Sequence, residues 1–270
     1  MEPFVVLQLY SDVFPSKRSK ANVQDMVLLH GWGMSSLVWD EIMPDLLKYF
    51  RVTVIDLPGF GRSSVPEGVY TLDYLSKHVL TVAPKKAVWM GWSLGALVAM
   101  NVAINESDRI SALISIAGTP SFIQREGWSY GIPVDVMDQF SRMFDEDVEG
   151  TLIRFLALQA KGSRSQREDI RKLKKMLYFH GIPAPQALRE GLNILRSVDL
   201  RGAVPDICCP TLHVFGDHDH LVPAQTAQGI KKLMPVSSVV RIEDVSHIPF
   251  VSNPESFLLS IQEFLSRCRA

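Results

Sequence analysis

Residues 87–104 carry no formal charge, and the run is broken at Gly91-Trp92-Ser93-Leu94-Gly95. Before the break, Lys86-Ala87-Val88-Trp89-Met90 is a short apolar segment of strand type; after it, Ala96-Leu97-Val98-Ala99-Met100 continues to Ile104 with helix-favouring residues. A strand that turns into a helix through a serine with a glycine two positions to either side reads as a nucleophile elbow, a strained turn that exposes the hydroxyl at the end of a sheet. The run is long enough to be scored as a membrane span. Gly91, Ser93, Gly95 and Asn101 interrupt it where strand gives way to helix, however, and a parallel strand beside a buried helix is apolar on every side. The expectation is therefore a buried strand–turn–helix unit.

Five residues are a short pattern, so its partners decide what it means. A serine hydroxyl needs a base, and the base needs an orienting carboxylate; behind an elbow they follow in the order Ser, Asp, His. The buried-strand pattern Thr211-Leu212-His213-Val214-Phe215 runs into Gly216-Asp217-His218-Asp219-His220-Leu221-Val222-Pro223. Asp219 is the preferred acid and Asp217 the rival, two residues earlier in the same loop. After the strand candidate Ser238-Val239-Val240-Arg241-Ile242 comes Glu243-Asp244-Val245-Ser246-His247, then a helix beginning near Asn253-Pro254-Glu255. His247 is the expected base.

Acyl transfer also needs two N–H groups for the developing oxyanion, one after the nucleophile and one from a loop behind an early strand. Met26-Val27-Leu28-Leu29-His30-Gly31-Trp32-Gly33 offers that strand and loop, so the donors are assigned to Trp32 and Leu94. His30, in a His-Gly pair before a glycine turn, is read as a structural hydrogen-bonding residue.

Short β-branched strands alternate with helical patterns through the first third, with Val52-Thr53-Val54-Ile55 a strand and residues 72–82 a helix, which predicts a mostly parallel sheet. A further strand is expected at the N-terminus, Phe4-Val5-Val6-Leu7-Gln8-Leu9, and a charged loop over residues 15–22. Asp56-Leu57-Pro58-Gly59-Phe60-Gly61-Arg62-Ser63 lacks the lysine of a phosphate loop and reads as a tight turn near the mouth of the site. Ile110-Ser111-Ala112-Leu113-Ile114-Ser115-Ile116-Ala117 is another strand, and the next begins only at Thr211. Between them run four apolar stripes: Val136, Phe140, Met143 and Phe144; Leu152, Phe155, Leu156 and Gln159; Ile170, Leu173 and Leu177; Leu188, Leu192 and Leu195. Residues 121–196 are thus expected to form a helical lid inserted into a core made of residues 1–120 and 197–270, above the edge where open α/β sheets bind ligands.

The chain has 270 residues, 47% of them hydrophobic, enough for one sizeable core. A net charge of −1 supplies no global field for nucleic acid or an anionic membrane, and three cysteines, two of them adjacent, suggest neither a disulfide framework nor a metal site. The N-terminus shows no signal-peptide pattern. The expectation is a cytoplasmic monomer that requires no metal or redox cofactor. Arg164, Arg167, Arg171 and Lys174 are placed on the third lid helix as a basic stripe, which Arg154 on the preceding helix extends. Taken alone, such a stripe is a solvated face.

These motifs resemble the α/β-hydrolase superfamily and, nearer, the pimeloyl-acyl-carrier-protein methyl ester esterase family of biotin synthesis, over nearly the whole chain. Besides the elbow, the likeness rests on Leu28-Leu29-His30-Gly31-Trp32-Gly33, residues 56–63, Arg154-Phe155-Leu156-Ala157-Leu158-Gln159 and Val198-Asp199-Leu200-Arg201. The resemblance implies an α/β-hydrolase fold with Ser93, Asp219 and His247 as triad, and Trp32, Leu94, Phe155, Leu156, Ala157, Leu158 and Gln159 around the substrate. It implies that Arg154, Arg167 and Arg171 face an acidic acyl-carrier protein. The chain departs from the family pattern at Gly150, which occupies a basic position, at His220, where the family tends to a small residue, and in a longer N-terminal loop. A general carboxylesterase or a C–C bond hydrolase shares the same chemistry, and a binding protein on this scaffold is the reading from another class. A dehalogenase would need a carboxylate at position 93.

Overall fold

The computed structural model describes residues 8–17, 23–65 and 68–268. Strand β1 (Ser11–Phe14), β2 (Gln24–Leu29), the short helix α1 (Met43–Leu46) and β3 (Phe50–Ile55) come first, then α2 (Leu72–Val82), β4 (Ala87–Trp92), α3 (Leu94–Asn105) and β5 (Ile110–Ile116). Four helices follow without a strand: α4 (Val134–Glu146), α5 (Val148–Ala160), α6 (Gln166–Phe179) and α7 (Pro185–Ser197). The chain closes with β6 (Thr211–Gly216), α8 (Thr226–Leu233), β7 (Ser238–Ile242), α9 (Pro249–Ser252) and α10 (Pro254–Arg267).

The strands form one sheet in the order β1-β3-β2-β4-β5-β6-β7, parallel except for the edge pair β1 and β3. Every residue of β4 is buried, as are residues 94–103 of α3, which accounts for the uncharged run: strand and helix are enclosed by protein on all sides. No helix among the described residues is long and apolar enough to cross a membrane. Gln8 and Leu9 adopt no regular structure, so the expected first strand does not include them, and its residues 4–7 lie outside the described residues. The edge strand is instead Ser11–Phe14, whose half-exposed Ser-Asp-Val-Phe pattern suits a strand paired on one side only. Of the expected N-terminal loop, Ser16 and Lys17 bond to the Leu47 carbonyl, and residues 18–22 lie outside the described residues.

Helices α4 to α7 are amphipathic and pack pairwise, α5 against α4 and α6, and α7 against α4. Helix begins at Val134 and not at residue 121. Pro120, Gly127, Gly131 and Pro133 punctuate the preceding stretch, which is extended and pinned by bridges between Ile123 and Ile132 and between Arg125 and Trp128. Helix α4 buries Met137 and Phe144; Val136, one position out of phase with Met137, is 49% exposed.

Candidate active site

Parallel register sets the sheet's carboxyl ends side by side: Leu29 of β2 is level with Gly91 of β4, Gly91 with Ser115 of β5, and Gly216 of β6 with Ile242 of β7. The loops leaving β2, β4, β6 and β7 therefore open on one edge, and each carries an expected site residue.

Ser93 stands between β4 and α3 with φ 54° and ψ −112°. That conformation costs a non-glycine residue about 1–3 kcal/mol. It is held by the Ser93 N–H on the Ile116 carbonyl at 2.9 Å and by the Ser93 carbonyl, which accepts the N–H groups of Ala96 and Leu97. The flanking glycines are required by close approach: a Cβ on Gly91 would lie 2.2 Å from the Gly95 carbonyl oxygen, and one on Gly95 would lie 2.3 Å from that of Leu29. The pentapeptide thus fixes the turn through backbone contacts alone.

Asp219 and His247 meet at 2.7 Å (Oδ2 to Nδ1), both side chains fully buried. The other carboxylate oxygen of Asp219 accepts the N–H groups of Leu221 and Val222 at 2.8 and 2.9 Å, so the acid organises its own loop. Asp217 instead accepts from Arg241 at 2.8 Å, away from the imidazole. The geometry thereby separates the two candidates. His247 is gripped at its backbone, its N–H on the Gln159 carbonyl of α5 and its own carbonyl receiving the Trp92 indole N–H at 2.9 Å. His247 Nδ1 is bonded to Asp219, and Nε2 is buried with no hydrogen-bond partner among the described residues.

Neither backbone N–H of Trp32 nor that of Leu94 meets an acceptor among the described residues, as an oxyanion site requires. The Trp32 indole donates to the Leu188 carbonyl at 2.7 Å and lies edge-on to Phe155, with centroids 4.9 Å apart. Gly191 of α7 makes room for it, since a Cβ there would come within 2.7 Å of the indole. His30 has both ring nitrogens occupied: Nδ1 bonds the Gly31 carbonyl and Nε2 accepts from the Leu57 N–H at 2.9 Å. Burial pushes its pKa down, so it is a neutral brace between two loops. The turn after β3 is likewise structural: Asp56 accepts from the N–H of Ser36 and from both N–H and Nε of Arg62.

Ser93, 3% exposed, forms the floor of an apolar cavity walled by Phe122, Met137, Phe155, Leu192 and Leu221. Of the segment 155–159, Phe155 and Leu158 face this space. Leu156 is buried in the core and does not line the cavity, Ala157 is half-buried on the outer side, and Gln159 serves through its carbonyl on His247. Helical periodicity explains the split, because residues three apart share a face.

Arg154, Arg167 and Arg171 are exposed on α5 and α6. Arg154 lies 3.9 Å from Asp147; Arg167 and Arg171, one turn apart, have no acidic partner among the described residues. Arg164 is not on the helix as expected. It precedes the cap Ser165, and its N–H bonds the Asp244 carbonyl in the loop that leads to His247.

One residue the sequence reading passed over is Asp169, 1% exposed on α6. It accepts the hydroxyls of Ser163, Ser165 and Ser252 at 2.8, 3.0 and 2.7 Å, with no cation in ion-pair range among the described residues. Ser163 and Ser165 were visible as local partners; Ser252, on the helix just after His247, was not.

A serine on a strand-to-helix turn of a mostly parallel sheet, followed in chain order by an aspartate and a histidine that pair, is the arrangement of the α/β-hydrolase class. The sequence matches the alpha/beta hydrolase fold family over residues 26–254, and the chain belongs to it, among relatives named pimeloyl-acyl-carrier-protein methyl ester esterase. The one from Vibrio vulnificus (strain CMCP6) is 40% identical over 243 residues, 90% of this chain and 94% of that protein. The one from Klebsiella pneumoniae is 42% identical over 232 residues, 86% of this chain and 90% of that protein. Among solved structures, an esterase from Exiguobacterium antarcticum superposes with a TM-score of 0.85 at 21% identity, over 98% of this chain and 96% of that one. An enol-lactonase from Burkholderia xenovorans LB400 gives 0.83 at 20%, over 96% and 97%. At such identities the structural likeness speaks for the fold.

Proposed function

We propose that this chain is a serine carboxylesterase that hydrolyses the methyl ester of a pimeloyl chain borne by an acyl-carrier protein, releasing methanol and the free carboxylate in biotin synthesis. The observation that carries the chemistry is the buried Asp219–His247 pair, whose free Nε2 shares the sheet edge with Ser93 at the floor of an apolar cavity. In this reading His247 takes the Ser93 proton as the hydroxyl oxygen attacks the ester carbonyl, and the N–H groups of Trp32 and Leu94 receive the developing oxyanion. The imidazolium returns its proton to the departing methoxide, methanol leaves, and an acyl-serine remains. Water, deprotonated by the same imidazole, then frees the carboxylate while Asp219 keeps the ring in its working tautomer.

The substrate half rests on the names of the relatives, on a cavity whose walls suit an alkyl chain, and on three exposed arginines on α5 and α6. In this reading the arginines face the acidic carrier in the cytoplasm, and residues 121–196 act as the lid that holds the chain. The test compares methyl pimeloyl-carrier protein with free methyl pimelate, in wild type, Ser93→Ala, and a variant with Arg154, Arg167 and Arg171 changed to Ala. Ser93→Ala is expected to lose roughly 10⁴-fold or more on both esters. The arginine variant is expected to lose about 10-fold in kcat/KM on the carrier ester alone. Equal rates on carrier-bound and free esters in every form would remove the carrier from the account.

A further inference from the structure

Apart from Ser93, the only polar side chain among the described residues lining the cavity belongs to His220. The two sit at opposite depths: Ser93 is 3% exposed on the floor, whereas His220 is exposed and shares the mouth with Val136, itself 49% exposed. The His220 imidazole has no hydrogen-bond or ion-pair partner among the described residues, so nothing in the fold occupies it. Its backbone, by contrast, is tightly placed. Asp219 accepts the N–H groups of Leu221 and Val222, so the turn that carries His220 is built on the same carboxylate that holds His247. The distance from the floor to this imidazole is thereby tied to the geometry of the pair beneath it.

An ester whose carbonyl lies at Ser93 threads its acyl chain between apolar walls and brings its far end to the mouth. A simple fatty ester presents a methyl group there and gains nothing from a ring N–H. A dicarboxylic monoester presents a second acyl oxygen. We propose that His220 is a specificity-determining residue that donates a hydrogen bond to the distal acyl oxygen of a dicarboxylic monoester. That oxygen is the carbonyl linking the chain to its carrier, or the carboxylate of the free monoester. The inference rests on the esterase reading above and adds which end of the substrate is recognised away from the reacting carbon.

The experiment measures kcat and KM for three esters of one chain length: monomethyl pimelate, with a distal carboxylate; its N-acetylcysteamine thioester, with a distal carbonyl; and methyl heptanoate, with neither. Wild type is compared with His220→Leu, which removes the donor, and His220→Gln, which keeps one. His220→Leu is expected to lose roughly 3- to 10-fold in kcat/KM, through KM, on the esters that carry a distal oxygen, and to leave methyl heptanoate within twofold. His220→Gln is expected to recover most of that loss. A loss on only one of the two oxygenated esters would identify which oxygen is met and uphold the proposal. An equal loss on all three esters, or none on any, would overturn it. The esterase reading fails separately, if none of the three is turned over in a Ser93-dependent way.

Discussion

The β4–α3 unit and the four helices from α4 to α7 face each other across the cavity and are held by opposite means. In β4–α3 every residue from 87 to 103 is buried, and position is set by sheet hydrogen bonds and by backbone contacts that only glycine permits. The helical layer is amphipathic, and several of its ion pairs, such as Arg189–Asp145 and Arg154–Asp147, are solvent-exposed, a kind worth about 0–1 kcal/mol each. That layer shares the buried apolar core through residues such as Leu152, Leu156, Leu173 and Leu188, and hydrogen bonds such as the Trp32 indole on the Leu188 carbonyl, the His247 N–H on the Gln159 carbonyl, and Ser252 on Asp169 tie it to the sheet edge. A reacting serine needs placement to a fraction of an ångström, which a packed sheet edge supplies. Helices α5 and α6 carry the exposed Arg154, Arg167 and Arg171 and also hold the His247 loop, through the Gln159 carbonyl and Asp169.

The sharpest way to break the rigid half is Gly95→Ala, whose methyl group would press on the Leu29 and His30 carbonyls. Loss of about 3 kcal/mol is expected, read as a Tm lower by about 6–12 °C, with esterase activity abolished. A fully active, unshifted variant would show that the turn does not depend on that approach.

Acid probes the sheet that carries the rigid half. His213 in β6 is fully buried with neither ring nitrogen hydrogen-bonded among the described residues, and burial, with Lys231 nearby, lowers its pKa from 6.5 to about 3. Below pH 6.5 the unfolded chain binds a proton there and the native chain does not. Stability therefore drops by about 1.4 kcal/mol per pH unit from about 6 towards 3, on this residue's account. Denaturant unfolding at pH 7 and pH 4 should show His213→Leu losing about 3 kcal/mol less than wild type over that interval. Parallel losses in the two proteins would refute this assignment.

The tethered half is tested by Asp169→Asn, which removes the negative charge from the one oxygen, Oδ2, that receives all three hydroxyls. The expected cost is about 2 kcal/mol, with faster hydrogen exchange in α6 than in β4 and a several-fold fall in kcat as the His247 loop loosens. Uniformly raised exchange would mean that the two halves unfold together and that the contrast drawn between them is false.

Much of this was legible because the elements concerned are long and their patterns periodic. Residues 72–82 and 238–242 form the helix and strand that the sequence indicated, and the chain order Ser93, Asp219, His247 is the order in which the structure brings the three to one edge. What escaped depends on contacts across the fold. Asp217 and Asp219 sit in one loop, and only Arg241 on β7 and His247 beyond it draw them apart. Asp169 and Ser252 are 83 positions apart, with no local sign of their meeting. The edge strand Ser11–Phe14 and helix α9 have four residues each, too few for periodicity to show. Helix α5 was seen as apolar, but which of residues 155–159 line the cavity depends on how it is rotated against Trp32.

Labelling with a fluorophosphonate followed by mass spectrometry tests the proposed role of Ser93 as a nucleophile primed by His247. One adduct is expected, on Ser93, formed at least 100-fold more slowly in His247→Ala and absent in Ser93→Ala. An adduct on another residue, or labelling of Ser93 at an unchanged rate without His247, would contradict it.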